Sequence, residues 1–132
     1  MHEGVLMKRL ELIEKIIARK KELNITVENL AKLSGVGVRT INRLLKNEDI
    51  KLSTVESVTN LLGLDFAGNE VVPLEELKKQ RAREKAFFLA SIVQGTSALE
   101  MQGLEEDSLK NIIANYEEAF LTGEYKNTLW VA

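Results

Sequence analysis

Apolar residues recur along most of this chain at intervals of three and four, the period that places side chains on one face of an α-helix. Leu6, Leu10, Ile13 and Ile17 follow spacings of four, three and four, which predicts a first helix over about Leu6–Leu23 with one buried stripe. Within Asn24–Asn47, NITVENLAKLSGVGVRTINRLLKN, the pattern specifies two short helices crossing at a sharp turn. Leu30 and Ala31 lie on the first, Gly35 and Val36 form the turn, and Ile41 and Leu44 repeat on the second at i, i+3. Ala31 lets two backbones approach closely, and Gly35 accepts the positive φ that ends a helix. The second helix, starting at Gly37, is then held out as a rod whose first turns fit the major groove of duplex DNA.

Further along, Ser53 and Glu56 have the spacing of a capping box, in which each side chain satisfies a backbone N–H of the other. Gly63 supplies a left-handed stop, giving a fourth helix with Val55, Val58, Leu61 and Leu62 inward. Asp65–Val72, DFAGNEVV, has few helix formers and reads as a hinge or short extended linker. Pro73 opens a new unit, since proline suits the first helical position. From there one long helix is expected, with Gly95, Thr96 and Ser97 as the point of any interruption. A last helix over about Glu105–Leu121 carries Leu109, Ile112, Ile113, Tyr116 and Phe120 as a stripe, with Gly123 as its stop. The tail ends in Leu129, Trp130 and Val131, too apolar to be left in water. These breaks divide the chain into a domain at 1–66, a linker at 67–72 and a helical region at 73–132.

With Thr26 as cap, Leu30 and Ala31, then Gly35 and Val36, then the inward pair Ile41 and Leu44, the segment Leu12–Phe66 resembles the lambda-repressor-like (Cro/CI-type, XRE) helix-turn-helix family. The resemblance implies a five-helix lambda-repressor-like helix-turn-helix domain. It does not extend past Phe66, where the apolar pattern gives a C-terminal helical hairpin, so the expected fold class is all-α. It also implies double-stranded DNA as partner, with phosphate contacts from Lys46, Asn47 and Lys51 after the recognition helix, and from Thr26 and Arg19 nearby. Some positions depart from the family pattern. Val27 stands where a Gln often contacts phosphate, Gly37 replaces the usual Ser cap, and Leu45 and Asn47 replace Glu and Gly.

The helix start at Gly37 selects the readers. Val38 and Arg39 occupy the first exposed positions, with Asn42 and Arg43 one turn on, and these four are expected at base edges. Arg39 suits a bidentate contact to guanine and Val38 a thymine methyl, while Thr40 is better placed for phosphate. Charge agrees once the chain is divided. The formal net charge is −2. Yet Arg19–Lys51 holds eight Lys or Arg against four Asp or Glu, a local +4, and the chain from Phe66 onward holds seven against eleven, a local −4. Phosphate attraction depends on the facing surface, so the basic segment suits DNA despite the acidic total.

One small domain reads only a few base pairs, and a homodimer would place two recognition helices about one turn apart on an inverted repeat. Phe87, Phe88, Leu89, Ile92 and Val93 occupy more than one helix face, and with Trp130 they are the candidate dimer or partner interface; the alternative is an ordinary hairpin within the chain. Two functions stay open: a dimeric repressor, or an antitoxin whose acidic C-terminal half binds a toxin protein while the helix-turn-helix autoregulates its operon.

Catalytic chemistry finds no footing. His2 is the sole histidine, the Glu pairs at 75–76, 105–106 and 117–118 are sequence neighbours that diverge on a helix, and no Gly-rich phosphate loop exists. The expectation is a chain that is not an enzyme, with no catalytic residues, metal or cofactor. The 132 residues include no cysteine and no run of 18 apolar residues, which points to a cytoplasmic protein with no membrane partner.

Overall fold

The computed structural model describes residues 2–94 and 106–132, with side chains over 8–93 and 109–132. Its described elements are helical, apart from one isolated antiparallel bridge between Leu64 and Glu70. They form two compact units: residues up to Leu74 together with Trp130–Ala132, and Glu75–Leu129.

The first unit contains α1 (His2–Leu23), α2 (Val27–Ser34), α3 (Val38–Leu45) and α4 (Leu52–Leu61). It has four helices where five were expected. The chain cannot continue as helix after α4, because Gly63 and Gly68 take left-handed φ values of 70° and 82° and Asp65 organises a turn between them. The Asp65 Oδ1 accepts from Ala67 N–H and Asn69 N–H, both at 2.9 Å, and the bond from Asn69 above all holds the carboxyl below its ordinary pKa. The stretch read as a linker then folds back: Val71 N–H and Val72 N–H both donate to the Gly63 carbonyl, at 2.9 and 3.0 Å.

Leu30, Ile41, Val58 and Leu62 are fully enclosed with Ile16, and burial of each such side chain contributes about 1.5–3 kcal/mol. The buried face of α1 differs from the stripe expected. Ile13, Ile16, Arg19 and Leu23 point inward, whereas Leu10 and Ile17 are 45% and 44% exposed; the side chain of Leu6 lies outside the described residues. The inward face contains an arginine, so a reading by hydrophobicity settles on the neighbouring stripe. Arg19 is tolerated there because its donors are satisfied. Its Nε donates to the Leu62 carbonyl at 2.9 Å, Nη2 donates to the Val72 carbonyl, and Nη1 lies 3.3 Å from Glu70 Oε2. The capping box at Ser53 is not formed either. The Lys51 carbonyl accepts from Thr54 and Val55 N–H at 3.0 and 3.1 Å, which starts α4 at Leu52 and places Ser53 inside its first turn.

The second unit holds most of α5 (Leu74–Gln94), then α6 (Glu106–Leu121) and a 3₁₀ turn at Lys126–Thr128. Ala82, Ala86 and Ala90 recur at i, i+4, i+8 and are fully buried. Ala86 and Ala90 meet Ile113, with Leu109, Ile112 and Tyr116 packed around them. With Arg83 3.4 Å from Glu117, this pairing makes α5 and α6 an antiparallel hairpin. The expected interruption at Gly95, Thr96 and Ser97, and the helix start at Glu105, lie outside the described residues. Gly123 follows α6 for reasons of space: a Cβ there would stand 2.8 Å from the Ala119 Cα. Leu129 and Trp130 are buried, while Val131 is 42% exposed.

Candidate nucleic-acid interface

Thr26 caps α2, its Oγ1 accepting from Asn29 N–H at 3.1 Å. The helix stops at Gly35, whose φ of 72° turns the chain so that Val36 N–H reaches the Ala31 carbonyl at 3.0 Å. Gly37 is extended and precedes α3 with no side-chain cap; the first helical bond runs from Ile41 N–H to the Gly37 carbonyl at 3.0 Å. Two turns of α3 then divide cleanly. Ile41 and Leu44 are buried, and Val38, Arg39, Asn42 and Arg43 are exposed on the opposite side. With Lys46 and Glu48 these four line one open polar concavity. The four expected base readers therefore share a single surface. Thr40 stands beside them, half-buried.

Asn47 ends the helix at φ 62°, its N–H donating to the Leu44 carbonyl at 3.0 Å. This is the left-handed position that asparagine tolerates better than most residues. Residues 16–69, which span this whole arrangement, match the family model described as helix-turn-helix.

Residues 16–69 are a helix-turn-helix domain of the lambda-repressor-like type. The family is one of DNA-binding transcriptional regulators and not of enzymes. No curated protein and no solved structure matches the chain. Among the described residues no helix is long and apolar enough to cross a membrane, and no group of three or more His, Cys, Asp or Glu is arranged to hold a metal ion.

The helix-turn-helix domain treats the expected phosphate contacts unequally. Lys46 is exposed in the concavity, Lys51 is exposed after it in sequence, and Thr26 is exposed, its Oγ1 accepting from Asn29 N–H. Asn47 is half-buried, and its Oδ1 is enclosed with no hydrogen-bond partner among the described residues, so its evident work is to end α3. Arg19 does not belong to the set. Only 5% of it is exposed, and its guanidinium is committed to Leu62, Val72 and Glu70 inside the domain.

The expected interface on α5 is also partly redistributed. Phe87, Phe88, Ile92 and Val93 are exposed and Leu89 is half-buried, whereas Trp130 is 7% exposed and takes no part in an open face. Arg83 stands over the Phe87 ring at 5.6 Å from its centroid. Sequence reasoning passed over three residues near α3: Glu48, Asp49 and Arg9. Glu48 Oε1 lies 3.8 Å from Arg43 Nε, the Asp49 carbonyl accepts from Arg43 Nη2 at 3.2 Å, and Arg9 Nη1 stands 3.4 Å from Asp49 Oδ1. Two adjacent acids in a basic segment were the available signal.

Proposed function

We propose that the protein is a cytoplasmic, sequence-specific repressor that binds an inverted-repeat operator as a homodimer. The observation that carries this reading is the common exposed face of Val38, Arg39, Asn42 and Arg43 on a helix otherwise anchored by Ile41 and Leu44. Arg39 reads guanine through a two-donor contact, and a good contact of that kind discriminates by about 1–3 kcal/mol. Thr26, Thr40, Lys46 and Lys51 serve phosphates on either side. The region 73–132 supplies the second copy through the apolar residues that α5 leaves exposed, since a single recognition helix covers too few base pairs for an operator. Those residues also favour a second reading, an antitoxin whose C-terminal half binds a toxin protein while the helix-turn-helix domain autoregulates the operon.

Selection of bound duplexes from a random DNA pool tests the first reading, with an inverted repeat as the expected product. Against that duplex, Arg39→Ala should reduce preference over a scrambled one by about tenfold or more. Intact discrimination would remove α3 from sequence reading. Copurification with a small basic protein, in place of a clean homodimer, would favour the antitoxin.

A further inference from the structure

The loop after α3 places Glu48 and Asp49, two of the four acids in the basic segment Arg19–Lys51, side by side. Both residues contact one arginine of the exposed face, Glu48 through its carboxylate and Asp49 through its backbone carbonyl. Arg43 Nη2 donates to the Asp49 carbonyl at 3.2 Å, and Nε lies 3.8 Å from Glu48 Oε1, an ion-pair separation longer than a hydrogen bond. Nε and Nη2 share one edge of the planar guanidinium, so the ion pair and the hydrogen bond both involve donors of that edge. The other edge, Nη1 with the second hydrogen of Nη2, meets no partner among the described residues. That free edge is a two-donor fork matching O6 and N7 of guanine.

The loop is itself held in place. Arg9 of α1 pairs with Asp49 Oδ1 and donates from Nη2 to the Glu48 carbonyl at 3.4 Å. Glu48 N–H donates back to the Arg43 carbonyl at 3.0 Å, just beyond the left-handed Asn47. A chain of contacts thus runs from α1 through the loop to a side chain on the exposed face of α3.

We infer that Glu48 is a positioning residue for sequence readout: it holds Arg43 by one edge so that the other meets a guanine, and its charge weakens binding to DNA of any sequence. The inference rests on the DNA-reading function proposed above. An unrestrained arginine loses rotamer freedom when it makes a specific contact and finds phosphates as readily as bases. Ordering its plane beforehand removes part of that cost from the specific complex alone. The carboxylate lines the same concavity as Arg39, Asn42 and Lys46, where it repels a phosphate backbone that lacks a compensating base contact. Arg9 and Asp49 act through the loop.

The test uses the full chain, the duplex enriched from a random pool, its single base-pair variants and a scrambled duplex. Glu48→Gln is expected to lower discrimination at one base pair about threefold, the scale of a half-exposed ion pair. It should tighten binding to the scrambled duplex about twofold, from the loss of one negative charge. In an Arg43→Ala background the same substitution should retain the second effect and lose the first. Arg9→Gln, which loosens the loop without altering Glu48, should lower discrimination at the same base pair.

Equal tightening on every duplex would reduce Glu48 to a surface charge and overturn the inference. Weaker binding to every duplex would make it a structural contact, with the same result. If Arg43→Ala alone leaves discrimination intact, the clamp has nothing to position and falls, whereas Arg39→Ala still judges the DNA-reading function separately.

Discussion

Helices α3 and α5 distribute their side chains in opposite ways. The eight residues of α3 bury Ile41 and Leu44 and turn charged and polar groups outward, with Val38 as the one exposed apolar residue. The 21 residues of α5 bury Ala82, Ala86 and Ala90 and leave Phe87, Phe88, Ile92 and Val93 exposed. A helix as short as α3 is marginal alone, so its order comes from the core beneath it, and its outer surface stays polar and charged. In α5 the small residues permit close approach of α6, and the large ones lie where only a further apolar surface would remove them from water.

The contrast can be broken most forcefully from below. Ile41→Ala should destabilise the helix-turn-helix unit by about 2–5 kcal/mol, whereas Phe88→Ala should stay within about 0.5 kcal/mol of the parent. Trp130, the sole tryptophan, groups with that unit, so its fluorescence during urea unfolding reports the first effect. Similar losses for the two variants would mean that Phe88 is part of a fold core. The second substitution tests what covers α5. Phe88→Glu combined with Ile92→Glu should convert a dimer to a monomer in sedimentation while leaving the helical circular dichroism unchanged. A dimer that survives places the pairing surface elsewhere. The smallest effect belongs to the rim of α3: Lys46→Ala should weaken operator and scrambled duplex equally, about two- to threefold, and lower the salt slope by about 1. Selective loss of operator binding would make Lys46 a base reader.

Much of the geometry of the candidate interface was legible because turn chemistry is local. Gly35 at positive φ, Gly37 before α3 and the inward pair Ile41 and Leu44 follow from residue types within a few positions of one another. The failures involve partners distant in sequence. Arg19 is inward only because Leu62, Glu70 and Val72 supply acceptors some fifty positions away, and that moved the buried stripe of α1 off Leu10 and Ile17. Ser53 and Glu56 have capping-box spacing, yet Lys51 sets the start of α4 through its own carbonyl. Trp130 was grouped with the exposed residues of α5 by hydrophobicity alone, and it is buried. The Arg43–Glu48 pair was missed because it spans a helix end, where the i, i+4 rule for charges on one helix no longer applies.

The hydrogen bonds of Arg19 also decide where this chain can be cut. A fragment ending at Phe66, the boundary drawn from composition, would delete the Val72 carbonyl and the Glu70 carboxylate and leave an enclosed guanidinium with the Leu62 carbonyl alone. Its remaining donors would need water, and the chain end would open to admit it. A fragment carried through Leu74 keeps all three acceptors and the return of Val71 and Val72 to Gly63. The unit that carries the helix-turn-helix thus runs past its helices to Leu74. It also takes in Trp130–Ala132, whose Ala132 N–H donates to Asn29 Oδ1 at 3.2 Å, so a cut after Leu74 still removes part of it.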